Sequence, residues 1–155
     1  MDTQPAPIPA GLMRRLAAML YDTLLLAAIA MVATGLLLPL TGGKAITAES
    51  HPALGAAYRA LLVGIVVAFY GLFWTRRGQT LGMQSWRLRV EREDGRLLGW
   101  GDVLRRLAAA LLSLLPLGLG FLWILLDRRK RAWHDRLSGT RVVLVPKHQR
   151  PKRPA

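Results

Sequence analysis

The chain has 155 residues, enough for one domain; it is 52% apolar and carries 22 Lys and Arg against 9 Asp and Glu, a net charge of +13. A soluble domain this short has too little interior to hide so much apolar surface. The two excesses also separate along the sequence, because Leu16–Leu38, Ala60–Trp74 and Leu107–Leu126 hold almost no charge. That separation excludes an ordinary soluble fold and points to a bilayer, with anionic lipid head groups as the partner of the basic residues. Nucleic acid is set aside, the tail after Pro146 being its only site. The lack of cysteine removes disulfides and thiolate metal sites.

Residues 1–11 are proline-rich and read as a disordered N-terminal tail. Helix 1 starts near Leu12 and stops at Pro39. Its apolar part, Leu16–Leu38, would be about 34 Å long, sufficient to cross a hydrocarbon core of about 30 Å. Arg14-Arg15 ahead of this run imitates a signal peptide, but the run is too long for one and contains Asp22. An uncleaved span is expected. After a linker from Thr41 to Pro52, helix 2 runs from about Leu54 to Trp74. Arg59 can snorkel near its start, and Tyr70 and Trp74 read as an aromatic belt at its other end. Gly64, Ala68 and Gly71 leave one face smooth enough for close approach of another helix.

The first linker offers only Lys44, with Arg59 at its edge, whereas residues 75–106 hold arginines at 76, 77, 87, 89, 92, 96, 105 and 106. The positive-inside rule then puts the N-terminus and this second linker in the cytoplasm. A crossing by Leu107–Leu126 would export ten Lys and Arg between Arg128 and Arg153. The segment also contains Pro116-Leu-Gly118-Leu-Gly120, and neither half is long enough to span. A re-entrant hairpin accounts for both observations; a third crossing is the other reading. Two strands bear on the choice. Ser85–Arg92 alternates and meets a turn at Asp94-Gly95, and Thr140–Val145 is β-branched. They can pair only if both lie in the cytoplasm. The expected fold is therefore an all-α membrane domain over residues 12–145. It holds two transmembrane helices, a proline-broken re-entrant or third span, a small cytoplasmic strand pair, and a basic C-terminal tail over residues 146–155.

Asp22 is the sharpest chemical feature, since an ionisable group within a span costs roughly 3 kcal/mol and usually has a partner or a function. Arg15 stands two turns earlier on the same face, about 10 Å away along the axis and too far for a direct pair. Both can enter one polar seam with partners from elsewhere, for which Arg105, Arg106 and Asp135 are the candidates. His134 and Asp135 admit a proton-handling pair, or a structural role in which Asp135 caps backbone N–H groups or pairs with arginine while Trp133 anchors at the interface. His51, His134 and His148 are scattered, so neither a metal set nor a cofactor site is read. A phosphate loop, a nucleophile elbow and a carboxylate dyad are also missing, and no enzyme is expected.

Arg15-Leu-Ala-Ala-Met-Leu-Tyr-Asp22 carries an Arg-x-x-Ala-x-x-x-Asp pattern. Gln79-Thr-Leu-Gly82 is followed by Leu88-Arg-Val90 and Asp94-Gly95, and Trp133-His-Asp135-Arg-Leu-Ser-Gly-Thr140 closes the series. Together these resemble the RDD family of small bacterial membrane proteins over about residues 11–145. The resemblance makes Arg15, Asp22 and Asp135 the name-giving residues and implies the bacterial inner membrane. It departs at Met83, where the family often has lysine. Cation/proton exchange has been suggested for the family. Two functions follow as expectations. One is a non-enzymatic module that assembles with itself or another membrane protein, its arrangement fixed by a buried Arg/Asp network. The other is an oligomeric proton-coupled cation transporter using Asp22, which needs an oligomer because two spans enclose no pathway.

Overall fold

A computed structural model describes residues 8–42, 46, 52–116 and 118–146 of the chain. Helix α1, Leu12–Leu37, has no proline inside it and gives way to a 3-10 turn at Leu38–Thr41 that ends on Gly42 in the left-handed region. Helix α2, Pro52–Arg76, starts on proline, where the missing N–H costs nothing. Both helices are long and apolar enough to cross a membrane. After them come α3 (Leu81–Ser85), β1 (Leu88–Arg92), α4 (Trp100–Leu114), α5 (Leu119–Leu122), α6 (Trp133–Leu137) and β2 (Thr140–Leu144).

Burial is inverted relative to a soluble protein. The buried side chains of α1 are Arg15, Ala18 and Asp22, on one helical stripe, while Leu16, Leu20 and Leu24 are exposed. Helix α4 repeats the pattern, burying Asp102, Arg106 and Ser113 and exposing Leu104, Leu111 and Leu114. Polar groups inside and leucines outside suit helices solvated by hydrocarbon.

The broken third segment folds back on itself. Helix α4 and residues Leu119–Leu125 meet at a bend of 107°. Gly118 adopts φ 79°, which a glycine accommodates without strain. Gly120 lies so close to α4 that a Cβ would stand 2.8 Å from Ser113 Cα. Beyond the hairpin, α6 packs on α4, and β2 pairs antiparallel with β1 from Leu88↔Leu144 to Arg92↔Thr140. The expected strand pair is therefore present, although Ser85 ends α3 and does not belong to the strand. Trp74, Met83, Leu88, Val90, Val103 and Val142 form the apolar core beside the sheet.

Three expectations need correction. Residues 8–10 are not part of a disordered tail: Leu144 donates to Ile8 at 2.9 Å, Ala10 donates to Val142 at 3.1 Å, and Pro9 bridges to Val143. Pro9 fits because an edge position needs no N–H. Tyr70 and Trp74 form no belt; Trp74 is buried and both line an internal cavity. The smooth face of α2 is partly used within the chain, since a Cβ on Gly71 would collide with the Trp100 ring. His51, His148, Lys44, residues 1–7 and residues 147–155 lie outside the described residues.

Candidate functional site

Four elements bring a charged cluster together beneath the sheet. Arg15 on α1 reaches Asp135 on α6, Nη1 to Oδ2, at 2.5 Å. Arg106 on α4 meets the other oxygen, Nη2 to Oδ1, at 2.7 Å. Asp135 also accepts from the Ala132 N–H at 3.0 Å, so it caps α6 and pairs with two arginines at once. Other guanidinium donors find further partners. Arg15 donates to the carbonyls of Ala10 at 3.2 Å and Lys130 at 2.8 Å. Arg106 donates to Thr140 Oγ1 and lies 5.3 Å from the centre of the Trp74 ring, within cation–π range. Asp135 has no exposed surface, and both arginines are buried. Such a cluster is tolerable because the buried carboxylate meets both guanidiniums.

Asp22 stands apart from this triad. Thr80 donates its hydroxyl to Asp22 Oδ2 at 2.5 Å, and the Gly82 N–H donates to Oδ1 at 2.9 Å. Thr80 also accepts from Met83 N at 3.2 Å and so caps α3 at its start. Gly82 is required here, because a Cβ would sit 2.9 Å from Asp22 Oδ1 and closer still to the Ala18 carbonyl. The expectation of one seam joining Arg15, Asp22 and Asp135 by shared partners is thus corrected to two neighbouring sites. What they share is a cavity of about 210 Å³, bordered by Arg15, Asp22, Arg106, His134 and mostly apolar walls. Arg105 belongs to neither site. It is exposed and pairs with Asp102 at 3.0 Å. Thr80, Gly82, Thr140 and Trp74 were not foreseen as site residues. Thr80 alone carried a readable signal, as a hydroxyl residue at a helix start.

His134 is held neutral. Burial, reinforced by the Arg106 guanidinium, pushes its imidazole from 6.5 down to about 3. Its Nε2 lies 3.5 Å from Asp135 Oδ1, and its ring packs on Phe121 at 4.7 Å. Burial alone would raise the Asp135 carboxyl, but Arg106 and Arg15 outweigh it and hold it well below the usual carboxylate range. Both shifts act in one direction on stability. Below pH 6.5 the unfolded chain protonates His134 while the folded chain resists until about 3, so stability falls as pH drops through that window. Acidifying from pH 7 to 5 is expected to cost about 2 kcal/mol, read by denaturation in detergent. His134→Phe is expected to flatten that slope; an unchanged slope would assign the effect to another group.

Apart from Arg106 on α4, the residues that meet here come from three separated stretches, Arg15 to Asp22, Gln79 to Gly82 and Trp133 to Thr140. A family model described as the RDD family matches residues 9–139, most of the chain. The chain belongs to the RDD family. Comparison with curated proteins and with solved structures returned no match. In this RDD chain the fold brings the three stretches together. The first supplies Arg15 and Asp22, the second closes on Asp22, and the third closes on Arg15 through Asp135. Gln79 adds a bond of its own, donating to the Leu88 carbonyl at 2.6 Å and fixing the start of β1. Met83, where the resemblance led to an expected lysine, is buried and borders the cavity beside Asp22.

Proposed function

We propose that this RDD protein is a non-enzymatic, multi-pass module of the bacterial inner membrane that assembles with itself or with another membrane protein. The observation that carries the reading is the Arg15–Asp135–Arg106 triad, in which one buried carboxylate pairs with both arginines within one chain at 2.5 and 2.7 Å. A network closed in this way acts as an internal lock, and assembly then uses the lipid-facing surfaces of α1 and α2. On those helices a Cβ at Gly35 or Gly64 would meet nothing within 4 Å. Both chain ends are assigned to the cytoplasm, with the third segment entering and leaving the bilayer on that side. Support comes from the arginine-rich stretches that flank it, the 107° bend and the β1–β2 pairing across it.

The second reading, proton-coupled cation transport in an oligomer, is favoured by one observation: Asp22 borders the 210 Å³ cavity. Against it, both carboxylate oxygens are occupied by Thr80 and Gly82. Asp22→Asn separates the two. In the module reading the variant loses steady-state level or assembly, measured by size in mild detergent, and everted vesicles show equal cation-dependent proton flux with and without the wild-type protein. A variant that assembles normally but loses a flux present in wild type would overturn the module reading.

A further inference from the structure

A second recess opens beside the sheet, away from the apolar cavity. It encloses about 470 Å³ and is bordered by Arg15, Glu93, Arg128, Arg129, Arg131 and Arg141. Three of its five arginines are compensated: Arg15 by Asp135, Arg131 by Glu93 at 2.7 Å, and Arg141 by Glu91 at 2.8 Å. Arg128 and Arg129 have no ion-pair partner among the described residues. The recess therefore carries a surplus of positive charge at its mouth.

The turn that presents these two arginines is locked. Lys130 N–H donates to the Asp127 carbonyl at 2.8 Å, and Arg131 N–H donates to Asp127 Oδ2 at 2.8 Å. The Lys130 carbonyl in turn accepts from buried Arg15 at 2.8 Å. Lys130 sits at φ 51°, a left-handed conformation that a non-glycine residue adopts only when its surroundings impose it. An ordered turn fixes the backbone from which both side chains project, so less entropy is lost on binding than from a free loop. Just ahead of it, Leu125 and Leu126 are 70% and 77% exposed. Exposed apolar side chains thus precede the cationic turn in the chain by two and three residues, an order that suits a molecule with acyl chains joined to a phosphate. Guanidinium forks suit the paired oxygens of that group.

We propose that this recess binds the phosphate head group of an anionic membrane phospholipid. The inference rests on the membrane placement above and not on self-assembly. The test titrates the purified full chain, in neutral detergent, with phosphatidylglycerol or phosphatidylcholine, and reads lipid adducts and subunit number together by native mass spectrometry. Preferential retention of phosphatidylglycerol is expected. Arg128→Gln with Arg129→Gln should weaken it roughly thirtyfold, the worth of two interfacial cations. Arg76→Gln with Arg77→Gln removes the same charge at the end of α2 and should change retention less than about threefold. Equal weakening by both double variants, or equal retention of the two lipids, would overturn the site. Pyrophosphate supplies the same chemistry without chains; binding of pyrophosphate through Arg128 and Arg129 with no retention of phosphatidylglycerol would overturn the lipid assignment. Subunit number in the same spectra reports on assembly separately.

Discussion

Asp135→Asn is expected to leave almost no folded protein at physiological temperature. Asp135 has no exposed surface, and its two oxygens are the counter-charges of Arg15 and Arg106. The amide is nearly the same size, so packing is unchanged and only the charge is lost. Two buried guanidiniums then face each other without an anion. Removing one partner of a buried ion pair typically costs about 3–5 kcal/mol, a large share of a total stability of about 5–15 kcal/mol. Arg15→Gln should be milder, because it leaves Arg106 and Asp135 as a balanced one-to-one pair. The comparison is read by steady-state level and by thermal unfolding of detergent-solubilised protein. If Asp135→Asn unfolds at the wild-type temperature, the triad does not stabilise the fold as its geometry implies.

Gly82→Ala is the second large effect. The new Cβ would stand 2.9 Å from Asp22 Oδ1 and closer to the Ala18 carbonyl, which is backbone and cannot swing aside. Helix α3 must back away from α1, and both donors to Asp22 go with it. Overpacking and loss of hydrogen bonds to a buried acceptor together should cost about 2–5 kcal/mol. Gly101→Ala, in the first turn of α4, is the matched control. A Cβ there meets only the flexible end of Arg105 at 4.0 Å, so the same change should be neutral or slightly stabilising through helix propensity. Melting temperatures of the two variants in one detergent decide it. Equal shifts would mean that contact with α1 does not govern position 82.

Much of this was legible because it is written in one dimension. A run such as Leu16–Leu38 needs no partner to be recognised, and the predicted spans coincide with α1 and α2. The strand pair and the three motifs were equally visible. Asp22 was singled out but expected in other company. Its partners are a hydroxyl and a backbone N–H, and neutral donors leave no charge pattern to search for. Arg105 and Arg106 were indistinguishable in sequence, and only the face of α4 sends one to Asp135 and the other to Asp102. Trp74 failed for a similar reason. An aromatic ring at the end of an apolar run serves a lipid interface or an interior equally well, and here it lies under Arg106. Residues 8–10 were misjudged on proline content, although an edge pairing asks for very few donors.

The separation of 120 residues between Arg15 and Asp135 has a consequence for biogenesis. Asp135 follows every apolar segment in chain order, so α1, α2 and the hairpin are synthesised before their counter-ion exists. During that interval Arg15 and Arg106 must stay hydrated or borrow lipid phosphates, and the helices cannot close around them. Closing so long a loop is also slow relative to local helix formation. The nascent protein therefore waits in an open form until α6 and β2 arrive.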